Sequence, residues 1–160
     1  MSNPRSYFFL VPLANWAEKV NEDSEVAIWG PRTTFTPPEG TDNFLFIADE
    51  TAQAAVLASI ENLDNKSNYK CLFETQNKSS QFEFLDPNNC IERIYRNNEP
   101  AGKSSKLSKK IEELEIKTDN LYVFGAGEAK QTSLIRKTLK QKFGLETNQM
   151  SFTGYWRRTS

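Results

Sequence analysis

The chain has 160 residues, 38% apolar and 26% charged, with 20 Lys plus Arg against 21 Asp plus Glu. That length suits one domain with a real core, and nothing in the composition points to disorder. Near-neutral charge leaves no net field to gather nucleic acid, and no apolar run is long enough to span a membrane.

Histidine is absent altogether, which removes the commonest general base and the commonest metal ligand. The two cysteines, Cys71 and Cys90, lack metal-binding spacing and read as reduced, packed thiols of a cytoplasmic protein. "FFLVPLA", residues 8–14, is at the short end for a secretory core and is broken by a proline, so it does not read as an export signal. No catalytic residue and no metal site are predicted.

In chain order, "PLANWAEKV", residues 12–20, predicts a short helix with Pro12 near its start. "SEVAIWG", 24–30, predicts a strand and is followed by the proline-rich loop "PRTTFTPPEGTDN". "FLFIADE", 44–50, is an unbroken apolar run closed by two carboxylates, as expected of a strand buried on both faces. A helix over 51–63 follows, with Ala52, Ala55, Val56 and Ile60 on one face. "YKCLFET", 69–75, and "CIERIYR", 90–96, predict strands, and "SSQFEFL" between them reads as an edge strand or a loop. Ser104 or Ser105 can cap a helix over 106–116, with the stripe Leu107, Ile111 and Leu114. "NLYVFGAG" predicts a strand, then a helix over 128–143 with Leu134, Ile135, Leu139 and Phe143 inward and Gly144 as its stop. "QMSFTGYW" is the last strand.

Strands that alternate with helices need crossovers and pair in parallel. The expected fold is therefore α/β, a three-layer, doubly wound and mainly parallel sheet of about five strands. Ligands of such sheets sit beyond the carboxyl ends of the strands, at the switch point. Asp49 to Thr51, Gly125 to Glu128 and Gly154 to Arg157 are expected to converge there.

Helix N-termini offer free N–H groups and partial positive charge, so the helices beginning near Thr51 and Gly127 can each take an anion. Gly-Ala-Gly-Glu also suits any tight strand-to-helix corner. Asp49 and Glu50 allow an acid–base pair or a helix cap; neighbours on a strand face opposite ways, which favours the cap. Glu74, closing a strand, is placed either to hold a ribose hydroxyl or simply as an exposed strand end. Tyr155 and Trp156 offer an aromatic plane for a planar ligand, and Arg157 with Arg158 offers charge for a polyanion; the alternative is a packed tail. The basic last thirty-odd residues read as an anion site or as solvated helix faces.

Three segments taken together, "WAEKVNEDSEVAIWGPRTTFTPP", "FLFIADETAQAAVLASIENL" and "VFGAGEAKQTSLIRKTLKQKFGL…FTGYWRR", resemble the siderophore-interacting proteins in order and spacing. The resemblance runs from about Trp16 to Arg158. It implies a ferredoxin reductase-like NAD(P)-binding domain of an FAD- and NAD(P)H-dependent ferric-siderophore reductase. Under it, Asp49, Glu50 and Thr51 match the first nucleotide-side turn, and Gly125, Gly127, Glu128 and Ala129 match the second. Gly154, Tyr155 and Trp156 match the C-terminal motif near the flavin–nicotinamide stack, and Arg32 and Arg157 resemble residues facing the anionic ferric chelate.

The chain departs from that pattern in two ways. About fifteen residues precede Trp16, so the flavin β-barrel is expected to be absent, with 1–22 a junction remnant and 23–160 the NAD(P)H-binding-like domain. A glycine of the family pattern is Ala48 here. The implied cofactor is NADPH or NADH, with FAD only from another chain; Glu74 leans towards a free 2′-hydroxyl and the basic residues towards a 2′-phosphate. Implied partners are a ferric siderophore or similar chelate and a separate flavin domain. The alternative is a non-catalytic remnant that binds a chelate or a protein, or forms a homodimer through the uncovered face.

Overall fold

A computed structural model describes residues 16, 18–25, 35–80 and 90–158. The chain divides into two units, Met1–Arg32 and Thr33–Ser160. Within the first, the amides of Lys19 and Val20 both donate to the Trp16 carbonyl, and Asn21 and Ser24 close a polar turn. Most of the helix expected over 12–20, most of the strand expected over 24–30 and the segment 81–85 lie outside the described residues.

The second unit alternates strands and helices: β1 (Asn43–Ala48), α1 (Gln53–Glu61), β2 (Asn68–Thr75), β3 (Ile91–Tyr95), α2 (Lys106–Glu113), β4 (Leu121–Glu128), α3 (Ala129–Phe143) and β5 (Met150–Trp156). All five strands are parallel, in the order β3-β2-β1-β4-β5. The chain winds outward one way from β1 and the other way from β4, so the direction reverses between these two strands. In open α/β sheets the carboxyl ends of two such strands are where ligands bind.

Strand alternation builds two separate cores. Phe44, Phe46 and Ala48 of β1 join Phe73, Tyr122 and Phe124 under Val56 and Ile60 of α1. Phe35 covers the rest of that face, with ring centroids 5.7–5.9 Å from Phe44, Phe46, Tyr122 and Phe124. Leu45 and Ile47 point the other way, to Leu107 and Ile111 of α2 and Ile135 and Leu139 of α3. Such side chains contribute about 1.5–3 kcal/mol each when fully buried. A three-layer sandwich is the result.

One expectation about α3 is corrected. Leu134 was assigned to the inward stripe but is 54% exposed, and Gln131 and Thr132 are buried in the first turn instead. The helix rests its start against the sheet's carboxyl edge, where the neighbouring groups are polar, so polar residues take the inward places there.

Candidate functional site

The residues at the β1–β4 switch point are gathered around Asp49. Residue 49 follows Leu45 and Ile47 in the alternation and therefore leaves β1 on the α3 side. Its carboxylate is 4% exposed and is fully used by the chain. Oδ1 accepts from the Thr51 amide at 2.9 Å and the Thr51 hydroxyl at 2.5 Å. Oδ2 accepts from the Glu128 amide at 3.0 Å and from Trp156 Nε1 at 2.8 Å. One side chain thus ties the first turn to the second and to the C-terminal strand.

Glycines make the close approach possible. Gly127 has φ +151, and a Cβ there would lie 2.6 Å from Asp49 Oδ2. On the neighbouring strand the Phe152 ring lies across Gly125, where an added Cβ would meet it at 2.2 Å.

Glu128 serves its own helix. As N-cap of α3 it accepts from the Gln131 amide at 2.8 Å, and it also takes the Arg158 amide at 3.2 Å. It is 1% exposed, with Gly102 of the loop before α2 packed close to both Glu128 and Trp156. The second corner is therefore filled by two carboxylates and roofed over. Any anion reaching those amides must displace carboxylates that already neutralise them.

The first turn is different. No side chain caps α1, and its first turn carries no acidic residue. Glu50 is drawn sideways to Arg96, whose guanidinium donates to both its oxygens at 2.7 Å. Glu50 Oε1 also accepts the Gln76 amide at 2.9 Å. The start of α1 can thus offer N–H groups to an anion.

Of the residues singled out in the sequence, Asp49, Thr51, Gly127, Glu128 and Trp156 are brought into one bonded cluster. Tyr155 is 46% exposed beside it in β5, and Arg157 is exposed. Ala129 is half-buried against Gly154, where a Cβ would come within 2.9 Å of its own. Glu74 is 0% exposed and faces the α2–α3 side, so its carboxylate does not reach the surface. Arg32 lies outside the described residues.

Sequence reasoning missed Arg96, Ser104 and Gln131, which surround Glu74. Arg96 NH1 is 3.9 Å from Glu74 Oε2. Burial raises the Glu74 carboxyl above its ordinary value; Ser104, Arg96 and Gln131 offset part of the rise and Glu50 adds to it. The signal available beforehand was slight: an arginine ending "CIERIYR", with its partner 46 residues away.

Among the described residues no group of acids and thiols is arranged to hold a metal ion, and no helix is long and apolar enough to cross a membrane.

Comparison with known proteins agrees with this architecture. No curated protein matches the chain. A siderophore utilization protein from T. fusca superposes with a TM-score of 0.79 at 28% identity, over 94% of this chain and 58% of its own. The siderophore-interacting protein from Acinetobacter baumannii gives 0.69 at 22% identity, over 92% of this chain and 59% of its own. The ferredoxin reductase of a carbazole 1,9a-dioxygenase shares the fold at 0.55 and 16% identity, over 77% of this chain and 40% of its own. The chain therefore spans less than two thirds of each of these solved proteins. The model of the siderophore-interacting proteins matches residues 41–159, from the loop before β1 through the Tyr–Trp tail, and the chain belongs to that family.

Proposed function

We propose that Thr33–Ser160 is the nicotinamide-nucleotide module of a ferric-siderophore reductase, acting in iron release with a flavin supplied by another domain or chain. The observation that carries this reading is the bond from Trp156 Nε1 to Asp49 Oδ2, which keeps the aromatic tail beside the first turn. NADPH or NADH would place its phosphates at the uncapped start of α1, with Thr51 at the mouth and Tyr155 offering its ring. Bound nicotinamide would supply a hydride, whose two electrons would reach two Fe³⁺ one at a time by way of a flavin, with its proton released to solvent. Exposed Arg157 suits an anionic chelate. None of these roles requires a general base, which accords with a chain that has no histidine.

Titration with NADPH and with NADH, followed by tryptophan fluorescence, tests the reading. Saturable quenching is expected below roughly 1 mM, and a flat signal to that level removes it.

A second reading is favoured by the filled second corner. Two buried carboxylates stand where the other half of a diphosphate cradle would be. A non-catalytic domain that holds a ferric chelate would then bind the chelate without any nucleotide, and equilibrium dialysis with a catecholate or hydroxamate chelate separates the two.

A further inference from the structure

Beneath the first turn lies a second polar cluster. Glu74 closes β2 on the α2–α3 side and is 0% exposed; Ser104 and Gln131 are the side-chain donors beside its carboxylate, neither in well-formed hydrogen-bond geometry. Gln131 Nε2 and Arg96 Nε are buried without an acceptor. Orphaned buried polar atoms are costly, so several in one place call for an account.

The geometry makes Arg96 the shared member. Its guanidinium is 5% exposed and forks onto Glu50 with two bonds of 2.7 Å. The same NH1 is 3.9 Å from Glu74 Oε2. Glu50, with a 28% exposed side chain, carries the Gln76 amide as well, so the fork ties the first turn to the ends of β2 and β3. The groups acting on Glu74 are Arg96 after β3, Glu50 in the first turn, Ser104 before α2 and Gln131 on α3. The one cation among them, Arg96, faces Glu50 and Glu74 and also feels the charge of Asp49. Burial disfavours the charged form of the interior acid and raises its carboxyl above the ordinary value, against the partial support of Ser104, Arg96 and Gln131, while the rim acid holds the guanidinium.

We propose that Glu74 is a proton-controlled rival of Glu50 for Arg96. With the proton on, the guanidinium belongs to Glu50 and the first turn is clasped. When the proton leaves to solvent, the buried anion draws Arg96 inward, the fork on Glu50 opens and the turn loosens. Arg96 is then a positioning residue for the turn. Any effect on nucleotide affinity rests on the function proposed above, but the switch itself does not.

The test follows the whole chain by NMR between about pH 5 and about pH 9, reading the Glu74 side-chain ¹³C and the amides of Gln76 and Thr51. Glu74 is expected to titrate above the ordinary glutamate range, with the Gln76 amide moving at the same midpoint. In Glu74→Gln, the neutral isostere, the Gln76 step is expected to vanish while the rest of the spectrum persists. The wild-type titration decides the matter even where the variant fails to fold. A Glu74 that titrates as an ordinary glutamate overturns the proposal. So does one that keeps its proton until the chain unfolds, or a Gln76 amide that ignores Glu74's midpoint.

Discussion

Asp49 and Trp156 are 107 residues apart in sequence, and the indole Nε1 donates to Oδ2 of the carboxylate at 2.8 Å. Every donor that Asp49 meets is an N–H or O–H, so both its oxygens must accept. Asp49→Asn turns one end into a donor facing donors. We expect it to cost about 2 kcal/mol, and Asp49→Ala, which abandons all four partners, about 3–4 kcal/mol, each read from urea unfolding. An Asp49→Asn protein as stable as the parent would contradict this arrangement.

Gly127 is the backbone counterpart of that cluster. Its φ of +151 and the 2.6 Å approach of Asp49 Oδ2 leave no room for a methyl group. Gly127→Ala is expected to cost about 3 kcal/mol or more, because strain and the displaced carboxylate both count. Gly40→Ala is the control: φ is +82 with nothing within 4 Å of the new Cβ, so about 1 kcal/mol is expected.

At the start of α1, stability and binding should move in opposite directions. Ala54 is exposed in the first turn of a helix that has no acidic residue there. Ala54→Glu should stabilise the fold by about 0.3–1 kcal/mol through the helix dipole. The same carboxylate should weaken NADPH binding about tenfold or more by standing where the phosphate would sit. Thermal melts and fluorescence titration on one sample check both; unchanged NADPH binding would move the phosphate site elsewhere.

Glu74 imposes a pH dependence whose sign follows from burial. Its folded-state value is raised from 4.5, so the native state binds this proton more tightly than the unfolded chain does. Its stabilising contribution is therefore complete below about pH 4.5 and is lost as pH climbs through the raised value. Denaturation midpoints should fall over that window in the wild type and fall less in Glu74→Gln. A steeper loss in the variant would show that the carboxyl is not the group responsible.

Much of the fold was legible because its period is local. The buried runs of β1 and β4, the α1 face of Ala52, Val56 and Ile60, and the α2 stripe of Leu107, Ile111 and Leu114 all emerge where their patterns place them. Leu134 did not, since the inward stripe runs through Gln131, Thr132, Ile135 and Leu139, and at about 3.6 residues per turn Leu134 falls to one side of it. The helix starts also differ: Thr51 and Gly127 precede helices that begin at Gln53 and Ala129.

The amino-acid order alone determined the alternation of strands and helices, the apolar central strands and the glycine-hinged corner after β4, because each depends on neighbours a few residues apart. Only the folded chain decided what the acids do. Strand order sets β4 beside β1, which gives Asp49 the amide of Glu128 and the indole of Trp156. It also sets β2 beside β3, which puts one arginine within reach of both Glu50 and Glu74. A carboxylate's role is set by the donors and the solvent around it, and those arrive from segments far off in the chain.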